Sequence, residues 1–280
     1  MLETLQLMLS YPFLRNALIV GPLVCLCAAL LGVTLVLKRY AMIGDGLSHM
    51  GFGATCVATA LGLDPLGFSL VIVVIAAFLL LRLSSDSKLG GDSAVAILST
   101  GALALGVIVL SVSTGLNVDV ANYLFGSILA VSAGDARISV SLSVAVLLVF
   151  ILFYNKIFSV TFDESFAKAT GTNTTGYNML IALLTAVTIV AGMRLMGSML
   201  ISALVIFPAL TAMRLCKGFR AVMLCAAAVS LLSFFAGIFL SYFRNWPPGA
   251  SVVAVNLLFF LLSVLFRRIR KGAAGKGAAV

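Results

Sequence analysis

Apolar runs of about 20 residues recur along nearly the whole chain, and that length limits its folds more than any other feature. A helix rises ~1.5 Å per residue, so about 20 residues cross the ~30 Å hydrocarbon core of a bilayer. Within hydrocarbon every backbone N–H and C=O must be bonded inside the protein, which leaves helices or closed barrels. Barrel strands alternate apolar and polar residues over about 10 positions. These runs are continuous, so the fold class is all-α, a polytopic transmembrane helical bundle. Only 10% of the 280 residues are charged and 62% are hydrophobic, against roughly 25% charged in a soluble domain. No charged block or Pro/Ser-rich linker divides the chain, so residues 1–271 read as one membrane domain. The small-residue segment from Gly272 to Val280 reads as a disordered tail.

Nine spans begin near Ala17, Ala41, Leu66, Ala94, Ile138, Tyr177, Gly197, Ala221 and Val252. A count of eight follows if the stretch from Tyr177 to Leu215, interrupted by Arg194 and Gly197, is divided differently. Short loops rich in Lys and Arg stay on the cytoplasmic side. With nine spans, Lys38 and Arg39, Arg82 and Lys88, Lys156 and Lys168, Arg214, Lys217 and Arg220, and Arg267, Arg268, Arg270 and Lys271 all fall on one side. The expected topology has the N-terminus outside and the C-terminus inside, with only Arg137, Arg194 and Arg244 in the outer loops. Glu3 precedes any basic residue and no small-residue cleavage pattern follows, so the first span is expected to be retained. The formal charge of +9 therefore sits at span ends, as topology signals and contacts to anionic membrane lipid. It forms no single basic face, and nucleic acid is not an expected partner. Cys25, Cys27, Cys56, Cys216 and Cys225 are an odd number without a C-x-x-C pair, which indicates neither a disulfide framework nor a thiolate metal site. Ala54, Ala58 and Gly62, four apart, predict a close helix approach.

The stretch from Tyr40 to Gly53 places a carboxylate, Asp45, and the chain's single histidine, His49, inside the second span. Ionisable groups in a membrane are costly and are functional candidates by default. Four residues apart on a helix, the two share a face, so an oxygen and an imidazole nitrogen reach one cation together. That donor set suits Mn²⁺, Fe²⁺ or Zn²⁺ better than Ca²⁺ or Mg²⁺. A second reading makes Asp45 the cap of the span and His49 a hydrogen-bonded packing residue.

A polar interlude from Ser159 to Gly171 lies on the predicted cytoplasmic side. Thr161 with Glu164 forms a capping box, Lys168 lies near the C-terminal end and Gly171 closes the helix, which specifies about two turns. Phe162, Phe166 and Ala169 line one face, suited to insert into a partner's groove; an interfacial helix on the membrane is the alternative. Pro208 falls inside a span and bends it, as the lining of a pathway or as simple packing, and Asn256 in the last span raises the same choice, with an interhelical hydrogen bond favoured. The chain has no phosphate-binding G-x-x-x-x-G-K-[ST] loop, no H-E-x-x-H and no Ser/His/Asp arrangement, so neither an ATPase nor a hydrolytic enzyme is indicated.

In this order, the stretches resemble the permease subunits of the manganese/zinc/iron branch of ABC importers. The family pattern R-x-x-x-I-G-D-A-L-S-H is matched by Arg39 to His49, with Gly46 replacing the alanine and Met50-Gly-Phe-Gly replacing A-V-L-P-G. The cytoplasmic F-D-x-E-x-A-x-x-x-G element is resembled by Phe162-Asp163-Glu164-Ser165-Phe166-Ala167-Lys168-Ala169-Thr170-Gly171, with a shifted acidic residue, and a small-residue span ending P-A-x-x-A by Leu200 to Ala212. The likeness covers Ala17 to Arg267. It implies a fold like that of type II ABC importers in the bacterial cytoplasmic (inner) membrane and a homodimer of this chain around a central pathway. It also implies two ABC ATPase subunits on the cytoplasmic side and a soluble extracytoplasmic metal-binding protein. The metal is then the transported substrate and no cofactor is permanently bound. Asp45 and His49 match the position of the metal site, and Phe162 to Gly171 that of the ATPase-coupling helix. An ATP-independent secondary transporter or channel, and a non-transporting scaffold, are the alternatives.

Overall fold

The computed structural model describes residues 12–85, 91–113, 120–126 and 132–276. Among these residues there are twelve helices and no strand: α1 (Pro12–Leu37), α2 (Ala41–Ala60), α3 (Pro65–Ser85), α4 (Gly91–Val112), α5 (Val120–Phe125), α6 (Ala133–Leu152), α7 (Tyr154–Phe162), α8 (Glu164–Ala169), α9 (Thr174–Met196), α10 (Ser198–Leu215), α11 (Phe219–Arg244) and α12 (Pro248–Lys276). Eight are long and apolar enough to cross a membrane: α1, α3, α4, α6, α9, α10, α11 and α12. The chain is thus a multi-pass membrane protein. The ninth long helix, α2, spans 20 residues but is too polar to pass on composition, because it carries Asp45, His49 and four glycines. All nine long helices start at or within a few residues of the positions expected from run length.

The polarity of α2 is absorbed locally and by its neighbours. The Ser48 hydroxyl donates to the Asp45 carbonyl at 2.7 Å, Thr55 to Gly51 at 2.8 Å and Thr59 to Thr55 at 2.8 Å, while Thr55 also meets Ser69 of α3 at 2.8 Å. Around it pack α3, α4, α9 and α10. A second packed group places α1 against α6, α9, α10 and α11, with Val24, Ala28, Leu31, Ile189, Ile201 and Leu204 all within the buried core. Side-chain to backbone bonds tie these helices where lipid supplies no hydrophobic drive. Ser230 donates to the Cys25 carbonyl at 3.0 Å, Ser139 to that of Ala191 at 3.2 Å and the Cys27 thiol to that of Ser143 at 3.4 Å. All five cysteines are free thiols.

The four-residue spacing of small residues does not carry through: Ala54 and Ala58 are buried, but Gly62 lies past the end of α2, where an added Cβ would meet nothing within 4 Å. The contact falls instead at Gly53 and Gly106, where a Cβ on Gly106 would lie 2.9 Å from the Gly53 Cα. Spacing fixes a face, whereas the crossing point depends on the partner helix. The stretch from Tyr177 to Leu215 divides at Gly197 (φ +86), where the nine-span count starts a span, and a side chain there would strike the backbone of Leu124 and Phe125. At the C-terminus, α12 runs through Lys276. Residues 277–280 of the tail, residues 1–11 and Lys88 lie outside the described residues.

Candidate metal site and coupling helix

Asp45 and His49 lie one turn apart in α2, and the His49 Nε2 is 3.6 Å from the Asp45 Oδ2. That separation is too long for a hydrogen bond. It fits two ligands of one ion, since metal–ligand distances of about 2.0–2.2 Å put adjacent tetrahedral donors about 3.3–3.6 Å apart. Among the described residues neither a cap by Asp45 nor a hydrogen bond by His49 Nδ1 is made. Asp45 is the fifth residue of α2 and makes no cap, and the position before the helix, Tyr40, offers no side-chain cap either. The His49 Nδ1 is buried without a hydrogen-bond partner.

Among the described residues, one face of α2 is left partly uncovered. Met42 is exposed, and the side chains of Asp45 and His49 keep 38% and 16% of their surface, so the dyad opens outward from this chain. The other faces are tight. Next to Asp45, a Cβ on Gly46 would lie 2.6 Å from Val95 Cγ1 of α4, and Gly44 faces Val205 of α10 at 3.9 Å. Pro208 follows Val205 by one turn and is buried inside α10. Among the described residues no third His, Cys, Asp or Glu joins the dyad. Asn256 is fully buried and donates to the Val252 carbonyl of its own helix at 3.1 Å, with its Oδ1 unpartnered, so the interhelical bond expected of it is not made.

The polar interlude folds as two helices with a break at Asp163. Thr161 is not the cap: it is buried within α7, and its hydroxyl has no partner. Asp163 takes that role, with extended backbone (φ −147, ψ 96) and a carboxylate accepting the Phe166 N–H at 2.9 Å. Both residue types cap well, and Thr161 is held inside α7. At the other end Gly171 (φ +79) donates to the Lys168 carbonyl, and Thr172 to that of Ala167, closing the helix as the glycine predicted. Ala167 is buried, whereas Phe162, Phe166, Lys168 and Ala169 are exposed. The Phe162 ring stacks near Phe158 at 5.5 Å, and Phe158 near Phe219 of α11 at 4.9 Å. Glu164 does not turn back to complete a capping box but reaches Lys38 and Asn178.

Two features were not singled out as functional in the sequence. Lys38 counted only as a topology charge, although its ammonium is buried against α7 and α8. Arg194, read as an outer-loop base, sits in the last turn of α9 and bonds Asp135 at 2.9 Å, in the first turn of α6. Each charge opposes the dipole end of its own helix, a pairing of helix ends that sequence alone does not supply.

The described helices, eight of them long and apolar enough to cross a bilayer, make up a multi-pass membrane protein of the helical-bundle class. The sequence profile of the ABC 3 transport family matches residues 10–267. The manganese transport system membrane protein MntC of Halalkalibacterium halodurans is 34% identical over 260 residues, covering 92% of this chain and 89% of that one. The high-affinity zinc uptake system membrane protein ZnuB of Haemophilus influenzae is 32% identical over 261 residues, covering 93% and 99%. The solved structure of PsaBC from Streptococcus pneumoniae in complex with Fab superposes with a TM-score of 0.83 at 30% identity, covering 94% of this chain and 95% of that chain. The chain belongs to the ABC 3 transport family and is the permease subunit of a metal ABC transporter.

Proposed function

We propose that this chain forms the membrane pathway of an ATP-driven importer for a divalent transition metal of the Mn²⁺, Zn²⁺ or Fe²⁺ class, sited in the bacterial cytoplasmic membrane. The dyad carries the reading. Its two donors are spaced for one ion and lie on the uncovered face of α2. An ionised carboxylate turned toward lipid is costly, so that face needs a cover. A second copy related by a two-fold axis supplies it together with a second carboxylate and imidazole, giving an O₂N₂ shell from two chains. Four such donors suit a borderline first-row ion, and the named substrates of the relatives, manganese and zinc, fall in that class.

In this reading the end of the bundle bearing α8 faces the cytoplasm. Its exposed Phe162 and Phe166 enter a groove on a separate ATPase subunit, and a soluble metal-binding protein delivers the ion at the other end. Closure of the ATPase subunits moves α8 and turns the dyad from outside to inside. The test is metal uptake by proteoliposomes holding the complex captured from its own cells, with manganese and zinc supplied separately. Uptake that needs ATP and stops with vanadate supports an ABC importer. Undiminished uptake without ATP returns the chain to the secondary transporters.

A further inference from the structure

We propose that Lys38 is the strut through which the coupling helix α8 moves the metal-site helix α2, an inference that rests on the ATP-driven reading above. Lys38 follows the last residue of α1, and Tyr40 precedes the first residue of α2. The elbow between them is held back on α1 by three consecutive backbone bonds, Lys38 to Thr34, Arg39 to Val36 and Tyr40 to Leu35, at 3.0, 3.2 and 2.8 Å. Arg39 accepts a left-handed conformation there (φ 61), which a non-glycine residue keeps only where its surroundings fix it. The start of α2 is therefore rigidly tied to the elbow. Asp45 lies seven residues beyond Lys38 and His49 one further turn along.

The Lys38 side chain leaves the elbow and crosses to the coupling element. Only 6% of it is exposed. Its ammonium donates to the Val160 carbonyl at 3.0 Å and to Glu164 Oε2 at 2.9 Å. These acceptors lie on opposite sides of the break at Asp163, one in the last turn of α7 and the other the first residue of α8. A helix end leaves carbonyls without an intrahelical partner and favours a cation beside them, so the break creates the acceptor that Lys38 uses. The second oxygen of Glu164 accepts from Asn178 Nδ2 of α9 at 2.8 Å, so the carboxylate is clamped from two sides. Lys38 also lies 5.9 Å from the centre of the Tyr40 ring, and burial, then the negative charge of Glu164, push the Tyr40 phenol above its ordinary range.

A displacement of α8 that keeps these charge-assisted bonds must carry the elbow with it. Lys38 touches neither the ion nor ATP; it is a positioning residue. Lys38→Met keeps a long apolar side chain, Lys38→Arg keeps the cation, and Glu164→Gln keeps an acceptor without its charge. The measurement is metal imported per ATP hydrolysed, with manganese and with zinc, by complexes captured from native cells on a tag at this chain. Lys38→Met should capture the ATPase and hydrolyse ATP as the wild type does, yet import about tenfold less metal per ATP, within the usual span of coupling between sites. Glu164→Gln should fall between, Lys38→Arg should keep most of the ratio, and Lys38→Met/Glu164→Gln should be no worse than Lys38→Met. A wild-type ratio in Lys38→Met overturns the strut; so does full additivity in the double variant, and should Lys38→Met not assemble, a wild-type ratio in Glu164→Gln overturns it alone. If the wild-type chain captures no ATP-hydrolysing subunit, the ATP-driven reading fails first and the strut falls with it.

Discussion

Replacing Gly46 by alanine tests how tightly the metal-site helix is held, because the added Cβ would lie 2.6 Å from Val95 Cγ1 and 3.5 Å from Leu80 Cδ1. Carbon atoms settle about 3.5–4.0 Å apart, so Val95 or α2 must give by roughly 0.9 Å. Overpacking of this kind costs about 1–3 kcal/mol, and removing a glycine from a helix interior returns roughly 0.5–1 kcal/mol. Gly46→Ala should therefore lose stability, by at most about 2.5 kcal/mol. Val95 is only 2% exposed, and Val95→Ala, which deletes two methyls, should lose about 1–3 kcal/mol alone. In Gly46→Ala/Val95→Ala the new methyl enters the vacated space, so the double variant should be at least as stable as Val95→Ala. Thermal unfolding of the purified chain in detergent reads this cycle, at about 2–4 °C per kcal/mol for a domain somewhat smaller than this chain. A double variant whose loss equals the sum of the two singles would refute the contact, as would Gly46→Ala melting at or above the wild-type temperature.

Arg194→Met strands the Asp135 carboxylate and should cost about 2–3 kcal/mol in unfolding assays, somewhat below the ~3–5 kcal/mol of a fully buried pair, whereas Arg194→Met/Asp135→Asn should recover part of the loss. Gly249→Ala puts a Cβ against the backbone carbonyls of both Met196 and Phe125 and should lower the yield of folded protein, while Gly101→Ala, with nothing within 4 Å, should be neutral or stabilising by up to about 1 kcal/mol. Phe166→Asp at the exposed face of α8 should weaken capture of the ATPase by at least about tenfold in pull-down, the effect of losing an aromatic anchor.

Run length located the nine long helices because a membrane span is a local property of about 20 residues. The same rule undervalues α2, where Asp45, His49 and the glycines lower the apolarity that defines a span. The dyad was legible because its members are four residues apart on one helix. Lys38 was not, because its partner Glu164 is 126 residues away and a basic residue at a span end already has a sufficient local explanation as a topology signal. The cap of α8 was misplaced by two residues because Thr161 and Asp163 are both good caps, and only the burial of Thr161 in α7 separates them. Asn256 bonds its own helix, a choice between local and interhelical partners that sequence does not decide.

Asp45 and His49 are proposed to hold the ion in transit. Elemental analysis of cells whose sole copy of this chain is wild type or Asp45→Ala/His49→Ala, with ATPase capture as the control for assembly, tests it most directly. The double variant should still capture the ATPase and no longer accumulate the metal that the wild type imports. Wild-type accumulation by the double variant would contradict it.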